Sequence, residues 1–352
     1  MARKALTTVL AVLGGGVLVP LLVVHRHDIG AALALLVTVC PAWLSVAALA
    51  EAVSYLTRGG ALRAVLRGAA PTVGTAALAA ITVVGDAVAY VLPFGFAAGG
   101  AVAVGQAHRR GAPRAAAVWG FAVVTLVGMA VLVALGIVAA GVAVVAAGPG
   151  ALPSGPGLLA VAAVVVVVAA AVAVGRRRRA RRDGQAQPRA RWSAAARPPW
   201  LDVTARLRAR WADLRVQPLP ARAVGAAAVG MLLSWIADLS VLALAFVALG
   251  ERPPWAGLVL AYCLGQAASA LPFTPGGLAV VEGGLTATLV AFGGCPAGTL
   301  TAVLLYRLIS HWAVVPAGGL VWLALRRRAT DEFRAAPRSA FPEGAERCPT
   351  RT

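Results

Sequence analysis

The sequence predicts an all-α, polytopic membrane protein. Its 352 residues are 60% hydrophobic, and their mean hydropathy is +0.83. Several apolar runs of about 20 residues, the length that crosses the hydrocarbon core of a bilayer as a helix, follow one another along the chain. Arginines cluster at the ends of these runs, a distribution typical of the cytoplasmic loops between spanning helices.

The net charge of +19 is explained by this topological signal. No RNA- or DNA-binding motif accompanies the basic residues, so nucleic acid is not expected as a partner. The four cysteines have neither metal-binding nor disulfide spacing. The sequence shows no P-loop and no nucleophile elbow in a convincing context, so we expect no cofactor, no metal and no ATP-driven pump.

The apolar segments define the predicted order of membrane elements. In chain order they are Ala5–Val24, Ile29–Leu56, Pro71–Phe94, Ala115–Ala147, Leu158–Val174, Pro220–Leu249, Trp255–Phe273, Leu278–Phe292 and Pro296–Leu325. Basic clusters lie at residues 3–4, 58–67, 109–114, 176–215 and 326–328. When all of these clusters are placed in the cytoplasm, both termini are cytoplasmic as well.

Two regions must then enter and leave the membrane from one side. Residues 71–108 break at Leu92–Gly95, and residues 255–292 break at Leu271–Gly277. Gly95–His108, the second arm of the first region, is too short to span comfortably, so we predict two broken re-entrant hairpins beside about six full spans, or about eight membrane segments at the least. If every arm spans, the hairpins become four crossings and the termini keep their side.

The two breaks share Leu-Pro-Phe, and their flanks match in opposite orientation. We therefore predict two inverted-topology repeats, residues 29–147 and 220–325, inside a transmembrane domain that covers residues 1–328. In this architecture, facing broken helices form a binding site near the bilayer midplane. The alternative is a chance match, because the shared motif is short.

Residues 175–216 form an Arg-rich cytoplasmic loop between the repeats. Apolar residues recur every three or four positions from Trp200 to Leu214, which predicts an amphipathic helix at the membrane surface. Its predicted surface contacts are Trp200, Arg206, Arg210 and Trp211. The arginines either attract anionic lipid or only set the topology. Residues 329–352 are predicted to be a disordered cytoplasmic tail.

The segment Leu271–Gly284 holds two prolines, four glycines and a carboxylate within an apolar region. Broken backbone and charge are costly in hydrocarbon, so such a segment typically lines a cavity or binds something polar. Gly276 and Gly277 permit unusual backbone conformations, and the helix after them directs free N–H groups into the membrane, which suits a phosphate or carboxylate. A kink that serves packing alone is the alternative.

Glu282 follows this break by about one and a half turns, and Arg307 is its candidate counter-ion, with His311 four residues further on the same face. A structural ion pair and direct ligand contact are both open. The predicted binding residues are Pro272, Thr274, Pro275, Gly276, Gly277, Glu282, Arg307 and His311, with Pro93 and Gly95 at the first break. Of the other buried acids, Asp86 precedes the first break, Asp238 caps or pairs within its bundle, and Glu51 reaches the cytoplasmic interface.

These residues resemble a known family. Leu271–Glu282 is similar to the Pro-x-x-Pro-Gly-Gly…Glu signature of the lysylphosphatidylglycerol synthase transmembrane region, or flippase-like domain. Leu304–His311 resembles its last-helix pattern, and Val91–Gly111 its earlier Leu-Pro-x-Gly segment. Ala279 replaces a usual glycine, and Gly100 stands where many members have glutamate. Larger members carry a cytosolic aminoacyl transferase, for which the tail here is far too short, so the resemblance implies no synthase activity.

The resemblance implies a bacterial cytoplasmic membrane protein that binds an anionic phospholipid or a polyprenyl-phosphate-linked lipid and moves it between leaflets. Its partners would be membrane lipids. One alternative is a non-transporting partner or scaffold for a separate lipid-modifying enzyme, in which changes at Glu282 and Arg307 leave function intact. Another is an intramembrane lipid transferase, for which Glu282 and His311 are the only candidate catalytic pair.

Overall fold

The computed structural model describes residues 39–92, 95–147, 219–269, 277 and 280–335, and the regular elements there are helices. They are α1 (Pro41–Leu66), α2 (Thr75–Val91), α3 (Gly95–Arg109), α4 (Arg114–Ala147), α5 (Ala221–Ala248), α6 (Trp255–Ser269), α7 (Val280–Ala291), α8 (Pro296–Arg307), a π-helical turn (Leu308–Trp312) and α9 (Val314–Ala335). The predicted all-α membrane architecture is confirmed for these residues. The segments Ala5–Val24 and Leu158–Val174, the whole of the loop 175–216, and residues 336–352 lie outside the described ranges.

Helix lengths divide the described part of the chain into two groups. The stretches Arg114–Val145, Ala221–Ala248 and Pro296–Arg327 are long and apolar enough to cross a membrane. Four helices are shorter: α2 and α3 have 17 and 15 residues, and α6 and α7 have 15 and 12. At 1.5 Å per residue these extend about 18–26 Å, less than the roughly 30 Å of the hydrocarbon core.

Helices α1 and α5 form the central pair, and they run antiparallel. The backbone N–H of Cys40, just before α1, donates to the carbonyl of Ala248 at the end of α5 at 3.0 Å. In the middle of the pair the hydroxyls of Ser54 and Ser234 are 3.1 Å apart. Near the other end Gly230 packs directly against Ala61, and a Cβ at Gly230 would be only 3.0 Å from the Ala61 Cβ. Small residues bring the backbones together, which is how helices associate tightly where lipid offers no hydrophobic drive.

The two pairs of short helices pack across the halves of the chain. The α2–α3 pair lies against α1, and α2 also packs along α9, where Gly318 sits against Ala87. The α6–α7 pair lies against α4 and α8, and Gly136 of α4 contacts Cys263. Each half thus supplies the long helix that covers the short pair of the other half.

Two helix ends differ from the sequence prediction. Helix α1 continues ten residues beyond the predicted end at Leu56. The prediction ended too early because it placed Arg58 at a membrane boundary, whereas Arg58 lies inside the fold. Gly59 lies within this extension, and it is tolerated because a Cβ there would meet the backbone of α2, 2.7 Å from the Ala79 nitrogen. Helix α9 runs to Ala335, so residues 329–335 of the predicted disordered tail are helical.

Close packing within the first short pair gives a test of the fold. A Cβ at Gly99 of α3 would clash with the carbonyl oxygen of Gly85 on α2, whereas a Cβ at its neighbour Gly100 meets nothing within 4 Å. We expect Gly99→Ala to destabilise the protein by about 1–3 kcal/mol through overpacking. Thermal unfolding in detergent measures this as a lower Tm.

Gly100→Ala is the matched control on the same helix. Because it fills open space and removes a flexible residue, it should leave stability unchanged or raise it by up to about 1 kcal/mol. Equal Tm values for the two variants would contradict the described contact between α2 and α3.

Candidate functional site

Glu282 forms an ion pair with Arg307 in the structure, as the sequence predicted. Glu282 stands in the first turn of α7, and Arg307 is the last residue of α8. Arg307 Nε donates to Glu282 Oε1 at 2.7 Å, and the two side chains are 7% and 13% exposed. Glu282 Oε2 is buried without a hydrogen-bond partner. The pair joins the second arm of the second short pair to the last long stretch and leaves one acceptor oxygen free for another donor.

His311 is placed differently from the regular α-helix that the prediction assumed. The chain changes from α- to π-helix at Leu308–Trp312, so His311 belongs to a wider turn. Its ring is 2% exposed and stacks on Tyr90 of α2, with centroids 3.8 Å apart. Such π-helical turns often occur at functional sites. Here the turn connects the last stretch to the first half of the chain.

A second ion pair lies in the first half of the chain. Arg58 Nη1 of α1 is 2.8 Å from Asp86 Oδ2 of α2, and the hydroxyl of Tyr55 donates to the same oxygen at 3.1 Å. The guanidinium also lies 5.1 Å from the ring centroid of Tyr55 and 5.8 Å from that of Trp235. The side chains of Arg58 and Asp86 stay 20% and 28% exposed. This is the more accessible of the two pairs.

Sequence reasoning missed Arg58 as a site residue because it was counted with Arg63 and Arg67 as a boundary cluster. The structure places Arg58 about 12 Å inside the end of α1 at Leu66, an end that the sequence had put at Leu56. The partner of Arg58 is Asp86. The sequence analysis had noted only that Asp86 precedes the first break.

Asp238 of α5 is the centre of a third polar cluster. One of its oxygens, Oδ2, accepts from the Tyr262 hydroxyl at 2.6 Å, the Gln266 amide at 2.8 Å and the Tyr306 hydroxyl at 3.2 Å. The Gln266 amide also reaches the Tyr306 oxygen, at 3.0 Å. Asp238 is 5% exposed. The cluster links α5 to α6 and α8, as the prediction that Asp238 pairs inside its bundle requires.

Glu51 lies near the middle of α1 and is 9% exposed, whereas the sequence interpretation expected it near an end of its segment. The reason is the extension of α1 to Leu66, which moves this end of the helix more than two turns beyond the predicted one. Glu51 therefore faces the α1–α5 contact.

The contacts in the two halves occur at matching positions. Ser54 and Ser234, which contact each other at the centre of the α1–α5 pair, are separated by 180 residues. The same separation relates Arg58 to Asp238 and Asp86 to Gln266. Arg58 bonds to Asp86 at 2.8 Å, and Asp238 bonds to Gln266 at 2.8 Å. Each half therefore joins its central helix to its first short helix at the same place.

The glycines at the two breaks have different structural roles. Gly277 is buried and has φ of +71°, a conformation that side chains rarely adopt. Gly95 is buried, and a Cβ there would clash with the carbonyl of Ala89. Close packing therefore explains why this position is a glycine. The other predicted residues lie outside the described ranges: Pro93, Pro272, Thr274, Pro275, Gly276, Trp200, Arg206, Arg210 and Trp211.

The described part of the site suits a polar ligand better than a metal ion. Within the described residues, no group of three or more histidine, cysteine, aspartate or glutamate side chains could hold a metal. The site instead offers two arginines, each held by one carboxylate. Arginine binds carboxylate and phosphate with the same planar donors, and Arg58 Nε is a buried donor without a hydrogen-bond partner that a phosphate oxygen could accept from.

A family model described as lysylphosphatidylglycerol synthase TM region matches residues 7–318. No curated protein matches the chain.

The buried Glu282–Arg307 pair predicts strong coupling between its members. Removing one member takes from the other buried charge the ion-pair partner that it has in the structure, a loss that costs about 3–5 kcal/mol for a buried pair. We expect Glu282→Gln and Arg307→Gln each to destabilise the protein strongly, and the double variant to lose clearly less than their sum. Titration of the folded fraction with sodium dodecyl sulfate measures all three.

Glu251→Gln is the control carboxylate, since Glu251 lies in the connection between α5 and α6. Its effect should stay within about 0.5 kcal/mol. Additive effects of the two single substitutions would show that Glu282 and Arg307 do not stabilise each other.

Proposed function

Because the chain belongs to the lysylphosphatidylglycerol synthase transmembrane region family, we propose that it binds the headgroup of an anionic lipid and moves that lipid between the leaflets. The lipid is an anionic phospholipid or a polyprenyl-phosphate-linked lipid. The observation that carries the proposal is the Arg58–Asp86 pair, which lies within the fold yet keeps 20% and 28% of its side chains exposed. A buried but accessible charge pair of this kind marks a pathway for a polar group through a membrane protein.

Arg58 is the proposed phosphate-binding group. Its guanidinium can exchange Asp86 for a lipid phosphate and keep its hydrogen bonds throughout. The rings of Tyr55 and Trp235 lie beside it at 5.1 and 5.8 Å, and they hold its charge in place by cation–π attraction while the carboxylate is exchanged. Asp86, once released, accepts from an amine or hydroxyl on the headgroup.

Arg307 is the proposed second phosphate-binding group. Its partner Glu282 occupies only one of its own oxygens in the pair, and Oε2 remains without a donor. Gly277 opens the turn before α7 with a left-handed backbone. In this proposal the remaining binding residues predicted at the two breaks line the path between Arg58 and Arg307.

Alternating access follows from the proposed inverted repeat. The antiparallel α1–α5 pair, the serine contact between positions 180 residues apart, and the matched contacts of Arg58 and Asp238 support such a repeat. Repeats of this kind rock against each other around a fixed site and need no ATP. We place the protein in a bacterial cytoplasmic membrane with both termini cytoplasmic. A lipid-modifying enzyme that makes the lipid or uses it is the proposed protein partner.

Reconstitution tests this function. Vesicles containing the purified protein receive a fluorescent phosphatidylglycerol in one leaflet, and a membrane-impermeant quencher reports its arrival in the other. We expect movement well above that of protein-free vesicles. Arg58→Gln and Arg307→Gln should each slow it at least tenfold, about 1.4 kcal/mol in barrier height, because each removes a phosphate-binding guanidinium.

Arg109→Gln is the matched control, because it removes an equal charge from the exposed end of α3. It should leave the rate unchanged. If neither phosphatidylglycerol nor a labelled polyprenyl phosphate moves faster than in protein-free vesicles, the proposal is wrong. Biological function that survives Arg58→Gln and Arg307→Gln but not changes at Trp200 or Trp211 would favour the scaffold alternative.

A further inference from the structure

Glu51 and Asp238 face each other across the contact between the two halves of the protein. Glu51 lies about one turn before Ser54 on α1, and Asp238 lies about one turn after Ser234 on α5. Because the helices are antiparallel and the two serines contact each other, these acids are brought to the same level. The register of the two helices therefore places the two acids opposite each other at the α1–α5 contact, where both are buried.

Both carboxyl groups keep an oxygen that no donor satisfies. Glu51 and Asp238 are 9% and 5% exposed, and Glu51 Oε2 and Asp238 Oδ1 are buried without a hydrogen-bond partner. The three donors around Asp238 all bond to its other oxygen, Oδ2. Two ionised carboxylates have no hydrogen to share and repel each other. A hydrogen bond between them therefore needs one proton, bound to one oxygen and accepted by the other.

We propose that Glu51 and Asp238 form a proton-binding site that couples movement of the two halves to a proton gradient, and this inference rests on the proposed transport for its functional consequence. With the proton bound, the pair carries one negative charge and joins α1 to α5. When the O–H bond breaks and the proton leaves, two adjacent negative charges repel each other across the same contact. Proton binding and release thus favour different arrangements of the halves.

The charged and titratable groups around the pair suit this role. They are Tyr55 and Arg58 on α1, Asp86 and Tyr90 on α2, Tyr262 on α6, Tyr306 and Arg307 on α8, and His311 on the π-helical turn, which also packs against α1 and α5. Arg58 offsets the single negative charge of the protonated pair. Asp86, partly exposed and bonded to Arg58, is the expected relay between the pair and water.

A proton fits this site better than a sodium ion. A cation needs several oxygens that are free to coordinate it. Here Oδ2 of Asp238 is occupied by three donors, so Asp238 Oδ1 and Glu51 Oε2 are the buried oxygens of the pair that have no hydrogen-bond partner. Replacing sodium with a large organic cation in the experiments below should change nothing, and sodium-dependent behaviour would overturn the assignment.

Infrared spectroscopy tests the proton site without any transport. The C=O stretch of a protonated carboxyl group is separate from the bands of carboxylates. At neutral pH we expect wild-type protein to show such a band. In both Glu51→Gln and Asp238→Asn the band should lose the intensity of one protonated carboxyl group. The reason is that the introduced amide N–H donates the hydrogen bond that the carboxyl proton made in wild type. Glu251→Gln should keep it. A band unchanged in both variants would overturn the site.

Transport in vesicles tests the coupling. For wild type, a pH gradient across the membrane should accelerate net movement of labelled phosphatidylglycerol at least tenfold in one direction. In Glu51→Gln the gradient should have less than a twofold effect, while exchange without a gradient continues. Movement that ignores the gradient in wild type, or follows it undiminished in the variant, overturns the coupling. If wild type moves no lipid at all, the proposed transport fails, and the infrared result still decides the proton site.

Both substitutions nearly preserve the volume of the native side chain, and Tm values identify a variant that does not fold. If one variant fails in this way, the other still decides both experiments, because either substitution removes the carboxyl pair.

Discussion

The structure depends on satisfying charges where neither water nor lipid can do so. Asp238 is the clearest case. It is 5% exposed in a long apolar helix, and one of its oxygens draws in donors from Tyr262, Gln266 and Tyr306. A carboxylate left alone in such a place is costly. These donors belong to α6 and α8. The need to satisfy the Asp238 carboxylate therefore fixes the positions of α5, α6 and α8 relative to one another.

Small residues let the helices come close enough for these polar contacts to form. The Ser54–Ser234 contact and Gly230 bring α1 and α5 together, and Gly85 and Gly99 do the same for α2 and α3. In lipid, packing of backbones and hydrogen bonds between helices replace the hydrophobic drive of soluble proteins. The two devices act together, because each charged pair joins helices whose backbones are already close.

The same contacts that stabilise the fold are suited to exchange. An arginine held by a single carboxylate gives up no hydrogen bond when a phosphate replaces that carboxylate. Arg58 and Arg307 each form an ion pair with a carboxylate, one in each half and at different degrees of exposure. A structural interaction and a binding site can thus use the same side chains at different moments of a transport cycle.

The sequence alone predicted the class, the order of the long and short helices among the described residues, and Arg307 as the candidate partner of Glu282. These follow from hydropathy, from arginine at segment ends and from the cost of an unpaired charge in an apolar run, all of which act locally along the chain. Only the tertiary structure decided that Arg58 belongs to Asp86 and that Glu51 meets Asp238. Those partners are brought together by the antiparallel register of α1 and α5 and by the packing of α2 on α1. Register depends on where distant small residues let backbones meet, and spacing along the chain does not encode it.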